Sequence, residues 1–262
     1  MRIKPKKSLG QNFLVDPNIR KKIIAACDFS SSDCVLEIGP GKGELTELIA
    51  KSVAKLYAIE IDPALFLILK EKFKDYNNVK IIKADILKAN LSRYFAKEQQ
   101  KFKVFGNIPY NITTPIIWRL FKFRDKIDLI FLTVQKEFAK RITAAAGSPD
   151  YGAFSCFAQY YSWPQLIFTI KRGSFYPSPK VDSSFLRLTI RDKLGLTIQD
   201  EKLFFKITRK AFNQRRKTLV NSLSGLIAKE KLESFLKEYG LDNKIRAEKL
   251  SLENFRDLTR FI

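Results

Sequence analysis

The sequence predicts an α/β protein in which a mostly parallel, doubly wound sheet is followed by a smaller helical domain. Strand-like and helix-like segments alternate from residue 34 to about residue 134, which is the pattern of strands joined by crossover helices. A continuous apolar segment over residues 34–39 leads directly into a glycine-rich turn, and a helix-like segment follows it. From about residue 196 the pattern is helical and basic, without clear strands.

The segments before the sheet predict an arm and a helix. Residues 1–13 are basic and contain a glycine, so we expect an irregular arm. A helix is expected over residues 16–27, because Asp16 can accept hydrogen bonds from the first-turn amides and Pro17 suits the first turn.

The strands and helices of the sheet then alternate. The predicted strands are residues 34–39, 55–61, 79–84, 102–106, 127–134, 165–171 and 183–191. The predicted helices are residues 44–51, 63–76, 87–99, 113–123, 135–146 and 151–161. A rigid, proline-rich loop is expected over residues 174–180. The boundary falls within residues 191–199, which divides the chain into a domain of residues 1–193, including the basic arm, and a helical domain of residues 194–262.

The charge of the chain indicates a polyanionic partner. Its 262 residues contain 48 lysines and arginines against 27 aspartates and glutamates, a formal net charge of +21. This balance is typical of proteins that bind nucleic acid or an anionic membrane surface. No apolar run approaches the roughly 18 residues of a membrane-spanning helix, so we expect no membrane partner. Residues 1–7 lead into a polar segment and do not resemble a signal peptide.

Histidine is absent, and the three cysteines, Cys27, Cys34 and Cys156, are isolated in the sequence. A zinc site is therefore not expected, and triads that use an imidazole base are excluded. Reduced, buried thiols are typical of a cytosolic protein, so we expect a cytoplasmic location. Without imidazole, catalysis must depend on positioning and hydrogen bonding.

Polar residues follow three consecutive predicted strands. The turn over residues 39–43 has Gly-x-Gly-x-Gly spacing, which differs from the nicotinamide fingerprint and from a phosphate-binding loop. Glu60 stands about 20 residues beyond the first glycine, where such folds hold ribose hydroxyls. Asp85 follows the third strand and can accept a hydrogen bond from an adenine amino group. Each carboxylate alone could be a solvated loop residue, but the ordered set indicates a nucleoside-bearing ligand at the carboxyl ends of the strands.

The turn Asn107-Ile108-Pro109-Tyr110 suits an amino group on an aromatic ring. The lone pair of such a nitrogen is delocalised, and hydrogen bonds accepted by the Asn107 amide oxygen and a backbone carbonyl favour a pyramidal, nucleophilic nitrogen. Pro109 stiffens the turn, and Tyr110 offers a ring face for stacking. Together with a nucleoside site that lacks a phosphate anchor, this indicates S-adenosylmethionine as methyl donor. An ordinary proline turn with a packed tyrosine is the alternative.

A basic segment in the helical region indicates contact with RNA or DNA. Six cations fall within twelve residues: Lys206, Arg209, Lys210, Arg215, Arg216 and Lys217. The first three share one helix face, and the last three sit at or just past the helix end. Cations so spaced can follow phosphates, although a solvated helix face is the alternative. The arm cations could close over the same substrate: Arg2, Lys4, Lys6 and Lys7.

These motifs resemble, in order, those of the ribosomal RNA adenine N6-dimethyltransferases, in particular the bacterial KsgA/RsmA type that acts on small-subunit rRNA. The resemblance runs from about Lys7 to Leu223. The matching segments are residues 10–14, 37–41, 60, 85–86, 107–110, 135–137, 175–184 and 215–219. Pro40 and the run 214–219 favour the small-subunit type over the macrolide-resistance methyltransferases of large-subunit rRNA.

The resemblance implies a Rossmann-like, class I S-adenosylmethionine-dependent methyltransferase sheet of seven strands. It implies that the donor is contacted by Asn12, Leu14, Gly39, Gly41, Glu60, Ile61, Asp85, Ile86 and Asn107. Glu60 would hold the ribose hydroxyls and Asp85 the adenine amino group. Asn107, Pro109 and Tyr110 would form the catalytic turn. Phe175 would face Tyr110, so that the two rings would stack on either side of the flipped base.

The implied function is N6,N6-dimethylation of two adjacent adenosines in the 3′-terminal hairpin of small-subunit rRNA, within ribosome biogenesis. The implied partners are this rRNA and the immature small subunit, and we expect a monomer without a metal. Three alternatives stay open: a macrolide-resistance-type enzyme, a DNA adenine methyltransferase, and a protein that is primarily a small-subunit assembly factor.

Overall fold

The computed structural model describes residues 4–262 of the chain. Arg2, one of the arm cations considered above, lies outside these residues. The strands are β1 (Phe13–Leu14), β2 (Cys34–Ile38), β3 (Lys55–Glu60), β4 (Val79–Lys83), β5 (Phe102–Asn107), β6 (Ile127–Gln135), β7 (Ser162–Ile170), β8 (Phe175–Tyr176) and β9 (Ser183–Ile190). The α-helices are α1 (Pro17–Cys27), α2 (Glu44–Ala50), α3 (Pro63–Lys72), α4 (Ser92–Phe95), α5 (Thr113–Phe121), α6 (Lys136–Thr143), α7 (Ala153–Tyr161), α8 (Ile198–Asn213), α9 (Leu219–Leu223), α10 (Lys229–Glu238) and α11 (Leu252–Phe261).

Seven strands form the main sheet in the order β4-β3-β2-β5-β6-β9-β7. The pairs β4–β3, β3–β2, β2–β5 and β5–β6 are parallel, and β9 runs antiparallel to β6. The chain builds outward from β2 to β4 and then returns to place β5 on the other side of β2. This reversal of strand order opens a crevice at the carboxyl ends of β2 and β5, where ligands bind in such sheets. The predicted fold class is confirmed.

The core of the sheet consists largely of apolar residues from the predicted strands. All five residues of β2 are buried. The rings of Phe131 and Phe185, on the neighbouring strands β6 and β9, are nearly parallel, with centroids 6.0 Å apart. A fully buried side chain of this size stabilises the fold by roughly 1.5–3 kcal/mol. This packing holds β6 and β9 together in the core.

Two segments differ from the sequence prediction. The helix expected over residues 87–99 is reduced to the single turn of α4. The reason is local: the Asp85 carboxylate accepts a hydrogen bond from the Leu87 amide (2.8 Å), which stabilises a turn where the helix was expected to begin. In addition, the arm and the proline-rich loop are not wholly irregular. They pair as the short antiparallel ladder of β1 and β8, with Phe13 opposite Tyr176 and Leu14 opposite Phe175.

The chain divides into two compact units. The first runs to Ala139 and resumes over Trp163–Ile190, and the second comprises Lys140–Ser162 and Arg191–Ile262. The later division lies close to the expected boundary at residues 193 and 194. However, residues 140–162, expected in the first domain, belong to the second unit.

Aromatic packing within the second unit explains this difference. On α7 and α8, the rings of Tyr160 and Phe204 are stacked at 4.9 Å, and those of Tyr161 and Phe205 at 5.6 Å. The Tyr161 hydroxyl also donates a hydrogen bond to the Glu201 carboxylate. Contacts of this kind join elements that are distant in sequence, so composition along the chain does not reveal them. Within residues 4–262, none of the helices combines the length and apolar character needed to cross a bilayer.

Candidate active site

A cavity of about 240 Å³ lies at the carboxyl ends of the central strands of the first unit. It is lined by the ends of β2, β3 and β5, by the segment after β4, and by arm residues 8–14. All nine residues expected to contact a methyl donor line this cavity: Asn12, Leu14, Gly39, Gly41, Glu60, Ile61, Asp85, Ile86 and Asn107. The catalytic-turn residues Pro109 and Tyr110 line it as well.

The glycine turn after β2 brings main chain close to the cavity. Gly39 and Gly41 have positive φ angles of 68° and 60°, which glycine adopts without steric cost. A Cβ atom at Gly41 would lie only 3.2 Å from the ring of Phe13. The turn therefore uses glycine both for its backbone angle and for the close approach of the arm.

Two buried carboxyl groups stand beside this turn. Glu60, at the end of β3, is 3% exposed, and its Oε2 accepts a hydrogen bond from the Gly41 amide (3.3 Å). Its Oε1 accepts one from the Asp62 amide (2.8 Å). Burial raises the pKa of Glu60 above its ordinary value. Burial likewise raises the pKa of Glu37 to about 8, with a further contribution from the negative charge of Glu60. The Oε2 atom of Glu37 is buried and has no hydrogen-bond partner among the residues described.

Asp85 and its apolar neighbours form the part of the cavity near β4. Ile61 is 48% exposed although it is a large apolar residue, and Ile86 is buried. Both line the cavity together with Asp85. A carboxylate acceptor between apolar surfaces suits the polar edge and the flat faces of a purine ring.

The catalytic turn is held in place by contacts at both of its ends. Asn107 is the last residue of β5, and its Nδ2 donates a hydrogen bond to the Asn12 carbonyl in the arm (3.2 Å). This contact uses Nδ2 and orients the amide, so Oδ1 stays available to accept a hydrogen bond. At the other end, the Tyr110 hydroxyl shares a hydrogen bond with the Ser183 hydroxyl at the start of β9. Burial raises the pKa of Tyr110.

The structure does not bring Phe175 to the lining of the cavity. This residue was expected to face Tyr110 across the target base, but it is 3% exposed and packs in the core with Leu14 and is not among the cavity-lining residues. The reason is the register of the β1–β8 ladder. Phe175 pairs with Leu14, and both side chains are buried, whereas the other pair of the ladder joins Phe13 to Tyr176. Tyr176 is 60% exposed.

Sequence reasoning missed several residues that build the site. Ser183 was part of a matching loop, but nothing indicated that it contacts Tyr110. Asp62 was not considered, although the Asp-Pro pair before α3 is a helix-start signal. Its carboxylate contacts Lys6 (2.7 Å) and Gln11 (3.2 Å) in the arm. These partners are more than 50 residues apart in sequence, so no local pattern could reveal them.

The cations expected to bind RNA lie in the second unit, and they differ in their surroundings. Lys206 and Arg209 are exposed on α8, and Arg216 and Lys217 are exposed beyond its end. Lys210 donates a hydrogen bond to the Ser224 carbonyl (2.6 Å).

Arg215 is engaged within its own unit. Its guanidinium donates to the Pro149 carbonyl (3.0 Å) and lies 3.5 Å from the Glu248 carboxylate. Thus Lys210 and Arg215 have protein partners, whereas the other four cations face solvent. Over residues 4–262, no group of three or more cysteine, aspartate or glutamate side chains is arranged to hold a metal ion.

Comparison with known proteins places this site in a family. The model of the ribosomal RNA adenine dimethylase family matches residues 2–262. A ribosomal RNA small subunit methyltransferase A of Shouchella clausii is 44% identical over 261 residues, covering 97% of this chain and 88% of the relative. The protein of the same name from Bacillus cytotoxicus is 43% identical over 262 residues, with 97% and 90% covered.

Two solved structures share the fold over nearly the whole chain. A dimethyladenosine transferase from Plasmodium falciparum has a TM-score of 0.80 and 28% identity, covering 94% of this chain and 95% of its own. The 23S rRNA methyltransferase ErmE has a TM-score of 0.77 and 25% identity, with 95% and 99% covered. On the match to residues 2–262, this chain belongs to the ribosomal RNA adenine dimethylase family.

Proposed function

We propose that this chain is an S-adenosylmethionine-dependent methyltransferase that dimethylates N6 of two adjacent adenosines in the 3′-terminal hairpin of small-subunit (16S) rRNA. The observation that carries the proposal is the single cavity onto which the glycine turn, the strand-end carboxyl groups and the catalytic turn all open. Family membership supports the reaction. The relatives named for the small subunit, at 43–44% identity, support the choice of substrate.

The residues of the cavity fit the methyl donor. Glu60 offers a buried carboxyl group to ribose hydroxyls, and Asp85 with Ile61 and Ile86 suits adenine. The Oε2 atom of Glu37 has no hydrogen-bond partner among the described residues, so we expect it to pair with a polar group of the ligand. Bound here, S-adenosylmethionine supplies a methyl group on a positively charged sulfur, which leaves as a neutral thioether.

The catalytic turn prepares the amine of the target adenine. Because Asn107 Nδ2 is committed to the Asn12 carbonyl, its Oδ1 is available to accept from the amine N–H. Pro109 has no N–H, so the turn presents carbonyl acceptors without that competing donor. Tyr110, fixed by Ser183, provides the ring face for the base. The attacking nitrogen gains the methyl group and releases one proton to solvent, so no imidazole base is needed.

The second unit supplies sequence-independent affinity for the substrate. Lys206, Arg209, Arg216 and Lys217 are exposed, and we expect them to contact RNA phosphates. Such contacts position a nucleic acid without reading its bases. Selection of the adenosines then falls to the cavity, which only an unstacked base can enter.

Labelled-methyl transfer to unmodified small subunits, large subunits and duplex DNA tests this proposal. We expect label on two adjacent adenosines near the 3′ end of the small-subunit rRNA. Transfer only to the large subunit would identify the macrolide-resistance type of activity, and transfer only to DNA a DNA methyltransferase. Binding of small subunits without transfer would identify an assembly factor.

Replacing Asn107 with alanine tests the role of the turn. Loss of the acceptor should lower the methylation rate about 100-fold or more, by analogy with the loss of one preorganised hydrogen bond at a reacting centre. Affinity for S-adenosylhomocysteine should change only a few-fold, because the other donor contacts persist. The control is Asn18→Ala on α1, an exposed asparagine outside the cavity. Wild-type turnover in the Asn107→Ala protein would refute the assigned role.

We further propose that the protein acts as a cytoplasmic monomer on immature small subunits, and so contributes to ribosome biogenesis. All residues expected to contact the donor come from one chain, so a monomer would suffice to bind it. Light scattering of the purified protein, alone and with small subunits at successive assembly stages, measures both the oligomeric state and the preferred substrate.

A further inference from the structure

We propose that Asp62 is a positioning residue that holds the N-terminal arm closed over the donor cavity, with Lys6 and Gln11 as its partners. The proposal rests on the function proposed above. It concerns how the donor is retained and released rather than which atoms react.

Two hydrogen bonds join the arm to Asp62 at the start of α3, and a third lies within the arm. The Lys6 ammonium lies 2.7 Å from Asp62 Oδ1, and the Gln11 amide donates to Asp62 Oδ2 (3.2 Å). The Lys6 main-chain amide in turn donates to Gln11 Oε1 (2.8 Å). Both carboxylate oxygens of Asp62 are therefore used by the arm, and the two arm residues also contact each other.

The segment that these contacts hold is a wall of the cavity. Residues 8–14, which directly follow Lys6, all line it. Their far end is fixed separately by the hydrogen bond from Asn107 to the Asn12 carbonyl and by the pairing of β1 with β8. The arm thus lies along the carboxyl ends of the strands, from the region of Glu60 to the catalytic turn. Asp62 fixes its first end.

Asp62 also connects the arm to the predicted ribose ligand. Its main-chain amide donates to Glu60 Oε1 (2.8 Å), and its Oδ1 accepts from the Ala64 amide (3.0 Å) as the N-cap of α3. The side chain that secures the arm therefore belongs to the residue whose backbone orients Glu60. A shift of the arm would therefore change the position of Glu60 through this one residue.

The unequal burial of the pair suits a reversible closure. The side chain of Asp62 is 1% exposed, whereas that of Lys6 is 46% exposed. The lysine can therefore return to water at little cost, while the carboxylate would lose its charged partner. Burial acts to raise the pKa of Asp62, but hydrogen bonds from Lys6, Ala64 and Gln11 outweigh it and hold the pKa below its ordinary value.

Amide hydrogen exchange of the ligand-free protein tests the closure directly. In Lys6→Met, which keeps the aliphatic stem and removes the charge, exchange over residues 8–12 should be about tenfold faster than in the wild type. Asp62→Asn should act in the same direction while preserving the helix cap. The matched control is Lys7→Met, which removes a neighbouring exposed cation. Equal exchange in Lys6→Met and Lys7→Met would overturn the proposal.

Release of S-adenosylhomocysteine provides the functional readout. Measured at a temperature where both variants are fully folded, its dissociation rate should rise about tenfold in Lys6→Met and stay at the wild-type value in Lys7→Met. If Lys6→Met instead weakens only RNA binding, Lys6 is a phosphate contact and the proposal is wrong. If the wild type fails to bind S-adenosylhomocysteine at all, the proposed function fails, and the exchange experiment still decides whether Asp62 holds the arm.

Discussion

Glu37 is a carboxyl group that the fold keeps away from water at the end of the most buried strand segment. It is 2% exposed, and burial raises its pKa from an ordinary value near 4.5 to about 8. In the unfolded chain the group ionises freely, whereas in the folded protein ionisation costs free energy. Glu37 therefore weakens the fold progressively as pH rises from about 4.5 to about 8.

The variant Glu37→Gln tests the direction of this pH dependence of stability. Because glutamine has a similar shape and no titrating group, the stability of the variant relative to the wild type should increase between pH 5 and pH 9. The expected gain is on the order of a few kcal/mol, since one pKa unit corresponds to about 1.4 kcal/mol. Denaturant unfolding of the ligand-free proteins at both pH values measures it. The exposed residue Glu238 supplies the control variant Glu238→Gln, and a gain of the same size there would contradict the argument.

Individual residues could be predicted from the sequence where a strand end fixes them. Glu60 and Asn107 end their strands, Asp85 comes just after β4, and all three line the cavity. Phe175 could not be placed in this way. Its orientation depends on the register of a two-residue strand against the distant arm, and a shift of one residue reverses the face of a side chain.

At the scale of elements, the catalytic turn depends on a strand that comes much later in the chain. The Tyr110 hydroxyl is anchored by Ser183, the first residue of β9. The next residue, Ser184, is equally buried, but its hydroxyl has no hydrogen-bond partner within residues 4–262. These adjacent serines therefore differ in the one contact that reaches the site.

This pair allows a controlled test of the anchor. In Ser183→Ala the ring of Tyr110 loses its fixed position, so we expect the methylation rate to fall about tenfold, the effect of losing roughly 1.4 kcal/mol. The Kd for S-adenosylhomocysteine should stay unchanged. Ser184→Ala should leave both quantities unchanged and should not lower stability, because it removes an unpaired hydroxyl. Single-turnover kinetics measure the rate, and equal rates in the two variants would show that the anchor does not matter.

Elements with a long apolar pattern could be predicted from the sequence, and very short elements could not. The seven strands of the main sheet were predicted within a few residues, because each carries a continuous or alternating apolar pattern. The helix over residues 87–99 was not, because a hydrogen bond from the Leu87 main-chain amide to the Asp85 carboxylate stabilises a turn at its start. The β1–β8 ladder is only two residues long on each side and carries no periodic signal.

At the scale of the whole molecule, the charge of +21 indicated a polyanionic partner but could not show which cations are free to bind it. The structure separates them. Lys206 and Arg209 are exposed on α8, whereas Lys210 and Arg215 donate to main-chain carbonyls of their own unit. The same charge change can therefore be made at exposed and at engaged cations.

Salt dependence of RNA binding distinguishes these two pairs. Each phosphate contact contributes about 0.7–0.9 to the slope of log K against log salt concentration, because it releases condensed counterions. The double variant Lys206→Gln/Arg209→Gln should therefore reduce the slope for a synthetic 3′-terminal hairpin RNA by about 1.5. Lys210→Gln/Arg215→Gln removes the same charge, yet its slope should stay close to that of the wild type, since these groups already have protein partners. Equal slopes in both double variants would mean that overall charge, and not a defined set of contacts on α8, governs RNA binding.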